Sequence, residues 1–500
     1  MDSSVEGIKL LAAARAGQRQ VLLPEQNAYF DLEVRNGGVA PVQVLKLYGN
    51  LLTPELRVYD SSGRLIRTAT PHNLEQRFGA DMGEPAPDRQ TVTIAPGQSH
   101  QAQVELWTYM DPLPKGRYEF AFAHRLSPSR AEYVESNRVA FEIDDAEVRN
   151  AALSYDTPQR LTSILAWIAA PARGGPAELL VRMSSEDRHS AAQFSGTAQG
   201  PVKDGSRAAV GLREPGSSSS PYSWIAVTQD SAVELIQHYE AQAEWRSPLI
   251  SLPLKDPVPV PRFPDRGHAV FLATGAQPQG GFALAGVAVY PEAKNFSPWS
   301  LPLRAAPVLT ACISKHAGPM AVLLVSRNQG QSIASILGVD ENGRLLRPEQ
   351  PVRNTPDPVL AVAVDYERDT FVLLESDAAR PDYLRLVRIR PNGATETKQM
   401  DAIGGWPTVM ETVESRQPRD MARPARVAQA VLEITTAGQA VAGFIDERGI
   451  YFGGILDGSP LRQFAGAGSP KIVLPHIAAI KAGITLSGFT ERGALAYFGR

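Results

Sequence analysis

Three observations on the 500 residues predict an all-β chain, a β-sandwich followed by a β-propeller. Short runs of alternating apolar and polar side chains, bounded by turn residues, fill the first 145 positions or so. From about 150 onward a strand–turn–strand pattern recurs at a spacing of roughly 40–50 residues. The length itself exceeds what one hydrophobic core usually serves, so at least two domains are expected.

The sandwich strands can be read in order. Phe30–Arg35 alternates apolar and charged residues, and Asn36-Gly37-Gly38 breaks it. Val42–Leu47 and Leu56–Tyr59 follow, and Asp60-Ser61-Ser62-Gly63 is a hairpin-type turn before Leu65-Ile66. Val92–Ile94, the turn Ala95-Pro96-Gly97, Gln103–Trp107, Gly116–Phe122 and Val139–Ile143 complete a set of about seven strands, the grammar of a sandwich.

Four segments in this order, Tyr29–Asn36, Ile94-Ala-Pro-Gly-Gln98, Pro114-Lys-Gly-Arg-Tyr118 and Glu135-Ser-Asn-Arg-Val139, resemble a widespread bacterial immunoglobulin-like domain. The resemblance covers residues 5–145 and implies a disulfide-free sandwich. Its motifs are strand and turn grammar, nearly silent on activity. Because such domains often occur in exported proteins, it also implies an extracytoplasmic home.

Asp144-Asp145 reads as a solvated linker in preference to a calcium site, which needs six to eight oxygens. Beyond it the repeat is clearest in Gly443–Gly453 against Gly488–Gly499, each a strand, a Glu-Arg-Gly turn and a second strand. A second pair, Ile336–Gly343 and Val387–Gly393, places its turn glycines 50 residues apart. Units of four strands are expected at 308–348, 359–399 and 427–464, with earlier units starting near Leu161, Ala208 and His268. The last unit, from Ile472, has only three strands. Ala151–Tyr155 is therefore expected to close the ring as its missing outer strand, leaving no open sheet edge. Seven blades are expected, with six as the alternative. Pro215–Pro221, Pro257–Pro261 and Arg416–Arg426 read as loops or extended connectors.

Composition excludes several classes of function. The net charge of −3 gives no basic field for nucleic acid. The 10 Lys against 40 Arg read as the bias of a GC-rich bacterial genome, not as a binding surface. Cys312, the single cysteine, lies in the apolar run Val308–Ile313 and reads as a small buried residue. No segment approaches the roughly 18 apolar residues of a membrane-spanning helix. Met1–Glu6 lacks the features of a signal peptide, so the protein is expected to be cytoplasmic or to have lost its leader upstream.

Motifs that carry chemistry are sparse. Histidines 72, 100, 124, 189, 238, 268, 316 and 476 are isolated, without metal-ligand spacing. There is no Gly-x-Ser-x-Gly elbow, no Walker-type loop and no sialidase-type box, and Gly466-Ala467-Gly468 lacks a third glycine. Asp365, Glu367 and Asp369 read as a solvated hairpin loop in preference to an acid/base pair. Trp245 and Trp299 sit in less apolar surroundings and read as inter-blade packing or as anchors for a sugar or protein. Arg385, Arg388 and Arg390 read as sharing one solvated strand face.

The sequence therefore leads to two modules, 1–146 an immunoglobulin-like sandwich and 147–500 a β-propeller closed by a strand near 151–155. The expected function is that of a non-enzymatic binding or scaffold protein presenting a propeller face to a protein or glycan partner. A carbohydrate-active hydrolase or lyase with axial carboxylates is the alternative, and a subunit of a bacterial envelope assembly is another. No catalytic residue, metal or cofactor is expected, no nucleic acid, and a periplasmic or cell-surface location with the cytoplasm as alternative.

Overall fold

In the computed structural model, the described residues are 4–5, 7–48, 51–73, 90–127, 132–155, 162–185, 192–193, 197–213, 223–239, 242–293, 295–314, 318–377, 379, 384–400, 409–412, 415–420, 427–435, 438–446, 449–456, 462–465, 471–480 and 483–498. Two sheets share the first core. One runs Ser4–Val5, Ile8–Ala14, Tyr29–Asn36, Ser99–Glu105. The other runs Val21–Leu22, Val139–Ile143, Gly116–Arg125, Glu55–Asp60, Leu65–Ala69. Period-2 alternation aims Phe30, Leu32 and Val34 of the first sheet at Val58, Phe120 and Phe141 of the second, in one buried cluster.

The turn segments of this sandwich have physical reasons. Asn36 is fully buried, and its amide donates to the carbonyls of Ala40 and Ile94 at 2.8 and 2.9 Å, which ends the strand and ties it to the next. The Tyr118 hydroxyl donates to the Pro114 carbonyl at 2.8 Å, fixing the Pro-Lys-Gly-Arg-Tyr corner. Asn137 bonds both the amide and the carbonyl of Ala12, so its side chain satisfies backbone groups along Ile8–Ala14.

From Ala146 the chain makes successive antiparallel sheets. The first holds Ala146–Tyr155, Thr162–Pro171, Ala177–Ser185 and Thr197–Val202. The second and third, from Arg207 and from Arg262, join through a parallel pairing of Arg207–Arg213 with Arg262–Asp265. The fourth holds Pro307–Ser314, Met320–Asn328, Gln331–Val339 and Leu345–Thr355. The fifth holds Val359–Asp365, Thr370–Ser376, Leu384–Ile389 and Thr395–Met400. A hairpin, Val409–Thr412 with Ser415–Asp420, precedes Val427–Ile434, Ala440–Asp446, Tyr451–Ile455 and Arg462–Ala465. Ile472–Ile480, Gly483–Thr490 and Leu495–Phe498 form the last sheet.

The first strands of these sheets neighbour one another in order, and Ile472–Ile480 returns to lie beside Ala146–Tyr155. The buried clusters fall between consecutive sheets. Phe271 packs with Trp224 of the preceding sheet, Phe371 with Leu323, and Phe444 with Val372. Each such sheet is thus covered on both faces, which is why strands such as Phe371–Leu374 are continuous apolar runs without alternation. Sheets stacked face to face around a ring of inner strands are a β-propeller.

Three sequence expectations need correction. Residues 151–155 are not an added outer strand of the last sheet. They belong to Ala146–Tyr155, which pairs with Thr162–Pro171 as the inner strand of the first sheet. A short connection favours that local hairpin over a return to a distant outer edge. The segment 257–261 is more than a connector, since Lys255–Pro259 pairs with Ala269–Ala276. Part of the expected loop 416–426 is a strand, Ser415–Asp420, while 421–426 and the loop 215–221 lie outside the described residues.

Candidate functional site

The axis of the ring is where a propeller most readily gathers side chains from several sheets. Here it holds an ion pair. Arg262, on the short inner strand Arg262–Asp265, reaches Glu433 on Val427–Ile434 with two bonds of 3.2 and 2.6 Å. The same guanidinium donates through Nε to the Leu153 carbonyl at 3.1 Å, on the inner strand of the first sheet. Three inner strands that are not ring neighbours are therefore braced across the centre. The Glu433 side chain is 5% exposed and both its oxygens are engaged, the bidentate geometry that suits a guanidinium.

Further ionic groups sit between sheets. Between the third and fourth, Glu341 accepts from Arg266 (3.3 Å) and Tyr290 (3.3 Å) and meets His268 Nε2 at 3.2 Å. The Trp299 indole donates to the Glu341 carbonyl at 2.9 Å. Between the fourth and fifth, the fully buried Glu375 takes two bonds from Arg353, of 2.5 and 2.7 Å. Arg385 reaches Asp357 at 2.5 Å beside it. Between the fifth sheet and the next, Arg368 and Arg388 both hold the buried Asp365 and both donate to the Gly438 carbonyl at 3.0 Å. Asp365 is thus committed to two arginines. Arg385 and Arg388 do not share a face as the sequence reading had it: three residues apart on a strand, they point to opposite sides and bind different carboxylates.

In each antiparallel sheet the connections alternate between the two ends. One end of the ring carries the turns 172–176 and 491–494 and meets the sandwich through Arg173, which pairs with Glu142 and Asp144. The opposite end carries 265–268 and 365–370, the facing ends of Pro307–Ser314 and Met320–Asn328, and those of Val427–Ile434 and Ala440–Asp446, together with the Glu341 and Asp365 groups. Lys115 and Arg173 neutralise Asp144, and Lys115 also binds Asp145, so this pair forms ion bridges and is no linker free in solvent.

The other residues singled out in the sequence fall as follows. Cys312 is buried among Leu324, Val322 and Leu337. His124 is buried between the Thr53 hydroxyl (2.7 Å) and the Leu45 carbonyl (2.9 Å), and burial pulls it down to about 4, so it stays neutral at physiological pH. His189, His316 and 466–468 lie outside the described residues. Among the described residues, no three of His, Cys, Asp and Glu converge to hold a metal. Trp245 stacks edge-on against the buried Trp224 at 5.9 Å, and the Trp299 ring packs against Gly286 and Gly343, so both are packing residues.

The sandwich has one group that sequence reasoning missed. Glu105 ends its strand beside Tyr109, its Oε1 is buried without a hydrogen-bond partner, and burial pushes the carboxyl up to about 7 against the pull of Arg15. Burial also raises Tyr109 to about 12 and Tyr48 well above its ordinary value. Nearby, on the outer face of the same sheet, Leu11, Ala13, Asp31, Glu33, Gln101 and Gln103 line a trough of about 400 Å³. Because the raised carboxyl binds its proton more tightly folded than unfolded, its favourable contribution is complete below about 4.5 and lost as pH rises through 7. Glu105→Gln should therefore stabilise the protein by about 1–3 kcal/mol at pH 8 and by almost nothing at pH 4.5. Urea titrations at the two pH values check this, and equal effects at both would refute it.

No family model matches the chain, and no curated protein matches it. Solved structures do align with it. Pyrococcus horikoshii acylaminoacyl peptidase is 10% identical over 70% of this chain and 51% of its own, with a TM-score of 0.38. The chain thus spans about half the length of that peptidase. BBS1N in complex with ARL6DN is 10% identical over 71% of this chain and 96% of its own, TM-score 0.34. Kluyvelomyces marxianus Hsv2 is 11% identical over 70% and 97%, TM-score 0.36. The class of this protein, all-β with a propeller, rests on its own strand order.

Proposed function

We propose that this is a non-enzymatic binding or scaffold protein whose propeller engages a protein or glycan partner. The observation that carries the reading is the axial pair. Arg262 and Glu433 satisfy each other and the Leu153 carbonyl, so these two groups, among the described residues, brace the ring and are not free to act as acid or base. The charged groups between sheets are likewise committed to one another. Recognition then falls to the turns, and the end of the ring away from the sandwich is the favoured face, because the sandwich meets the other end.

We read the chain as two modules, the division expected at 146/147 falling at the start of Ala146–Tyr155, and the propeller as seven-bladed. Seven consecutive inner strands, from Ala146–Tyr155 to Ile472–Ile480, support that count. The Tyr118 hydroxyl bonded back to Pro114 supports an immunoglobulin-like reading of the sandwich, since such a corner recurs in that architecture. That resemblance also supports a place outside the cytoplasm. The polar trough on the sandwich supports a second contact there.

Oligosaccharides and envelope proteins passed over the immobilised full chain, with product release followed in parallel, test the reading. Saturable binding without turnover, unchanged in Glu433→Gln, is expected. Turnover of a glycan that disappears in Glu433→Gln would replace it with the hydrolase or lyase alternative.

A further inference from the structure

A propeller made from one chain has a seam where its last sheet meets its first, and that seam opens most easily. In many rings an exchanged strand locks it, but here Ala146–Tyr155 and Thr162–Pro171 stay within the first sheet. Among the described residues, other contacts hold the two ends. Trp167 of the first sheet and Phe489 of the last meet at the seam with ring centres 5.5 Å apart. The buried cluster around them also contains Leu180 and Ala146, and one residue of the sandwich, Leu23. The Ala146 amide donates to the Arg492 carbonyl at 3.0 Å, in the turn of the last sheet. Gly493 beside it has φ +84°, and a Cβ there would come within 2.7 Å of the Ala146 carbonyl oxygen.

Around that apolar wedge the sandwich is bolted to the first sheet by charge. Arg19 pairs with the buried Glu178 at 2.6 Å. Arg173 pairs with Glu142 at 2.8 Å and Asp144 at 2.7 Å, and the Ala172 amide donates to the Asp145 carbonyl at 3.0 Å. The sandwich segment around Leu22–Glu25 therefore sits where the ring begins and ends, anchored on one side and pressed into the seam.

We infer that the sandwich is the clasp of the ring: Leu23, packed in one buried cluster with Trp167 and Phe489, holds the first and last sheets together in place of an exchanged strand. The wedge supplies apolar burial to both sheets, and the flanking ion pairs set its position. Loss of the wedge frees the seam first, because the last sheet has its described neighbours on the other side only in the sheet that starts at Val427. This inference goes beyond the binding reading and does not depend on any ligand.

Hydrogen–deuterium exchange on the full chain tests it. In Leu23→Ala, exchange in Ala146–Tyr155, Ile472–Ile480 and Gly483–Thr490 should rise about tenfold, while Val359–Asp365 and the sandwich strand Gly116–Arg125 keep wild-type rates. Gly493→Ala, which disturbs the same seam from the ring side, should give the same map without touching the sandwich. A rise confined to the sandwich, or one spread evenly over all sheets, would overturn the clasp.

Discussion

Glu433→Ala should destabilise the chain by about 3 kcal/mol, because it leaves the Arg262 guanidinium facing the axis without its carboxylate. The guanidinium keeps its bond to the Leu153 carbonyl, and its side chain is 23% exposed, so the loss falls at the low end of that for a broken buried pair. The double variant Arg262→Met/Glu433→Met should recover most of the loss, since it removes both charges and retains bulk. Urea unfolding of the two variants measures both numbers. A loss below about 0.5 kcal/mol for Glu433→Ala would mean the pair is solvated and the axis open.

Phe120→Ala should cost about 3–5 kcal/mol in the sandwich. Phe120 is fully buried, stacks on Phe30 at 4.0 Å between centroids, and lies in the cluster shared by both sheets. Neither sheet can close the gap alone, since Phe30 also meets Phe141 edge-on at 5.6 Å and is held in place. Denaturant dependence of hydrogen exchange in Gly116–Arg125, the strand that carries Phe120, reports the loss. A change under 1 kcal/mol would show a core that collapses around the void.

The later units of the repeat were legible because local and tertiary preferences agree there. Val359–Asp365 and Val427–Ile434 begin where the units expected at 359–399 and 427–464 begin, each flanked by turn residues. Arg262–Asp265 was not legible. It is four residues long, carries Pro264, and owes its place to a parallel pairing with Arg207–Arg213, which leaves no periodic mark. Lys255–Pro259 was hidden by its prolines; Pro257 falls at an irregularity in the pairing, where a missing N–H is tolerated. The axial pair was beyond sequence reading altogether, since Arg262 and Glu433 are 171 residues apart and converge only when the ring closes. Glu105 gave no signal either, because its raised carboxyl depends on burial beside Tyr109, not on a neighbour in sequence.

The most direct test of the braced axis is a crystallographic map of that region at a resolution that shows side-chain oxygens and water. The guanidinium of Arg262 should lie in the plane of the Glu433 carboxylate, with Nε on the Leu153 carbonyl. A water-filled channel with Glu433 turned away from Arg262, and other carboxylates facing it from neighbouring sheets, would contradict the account.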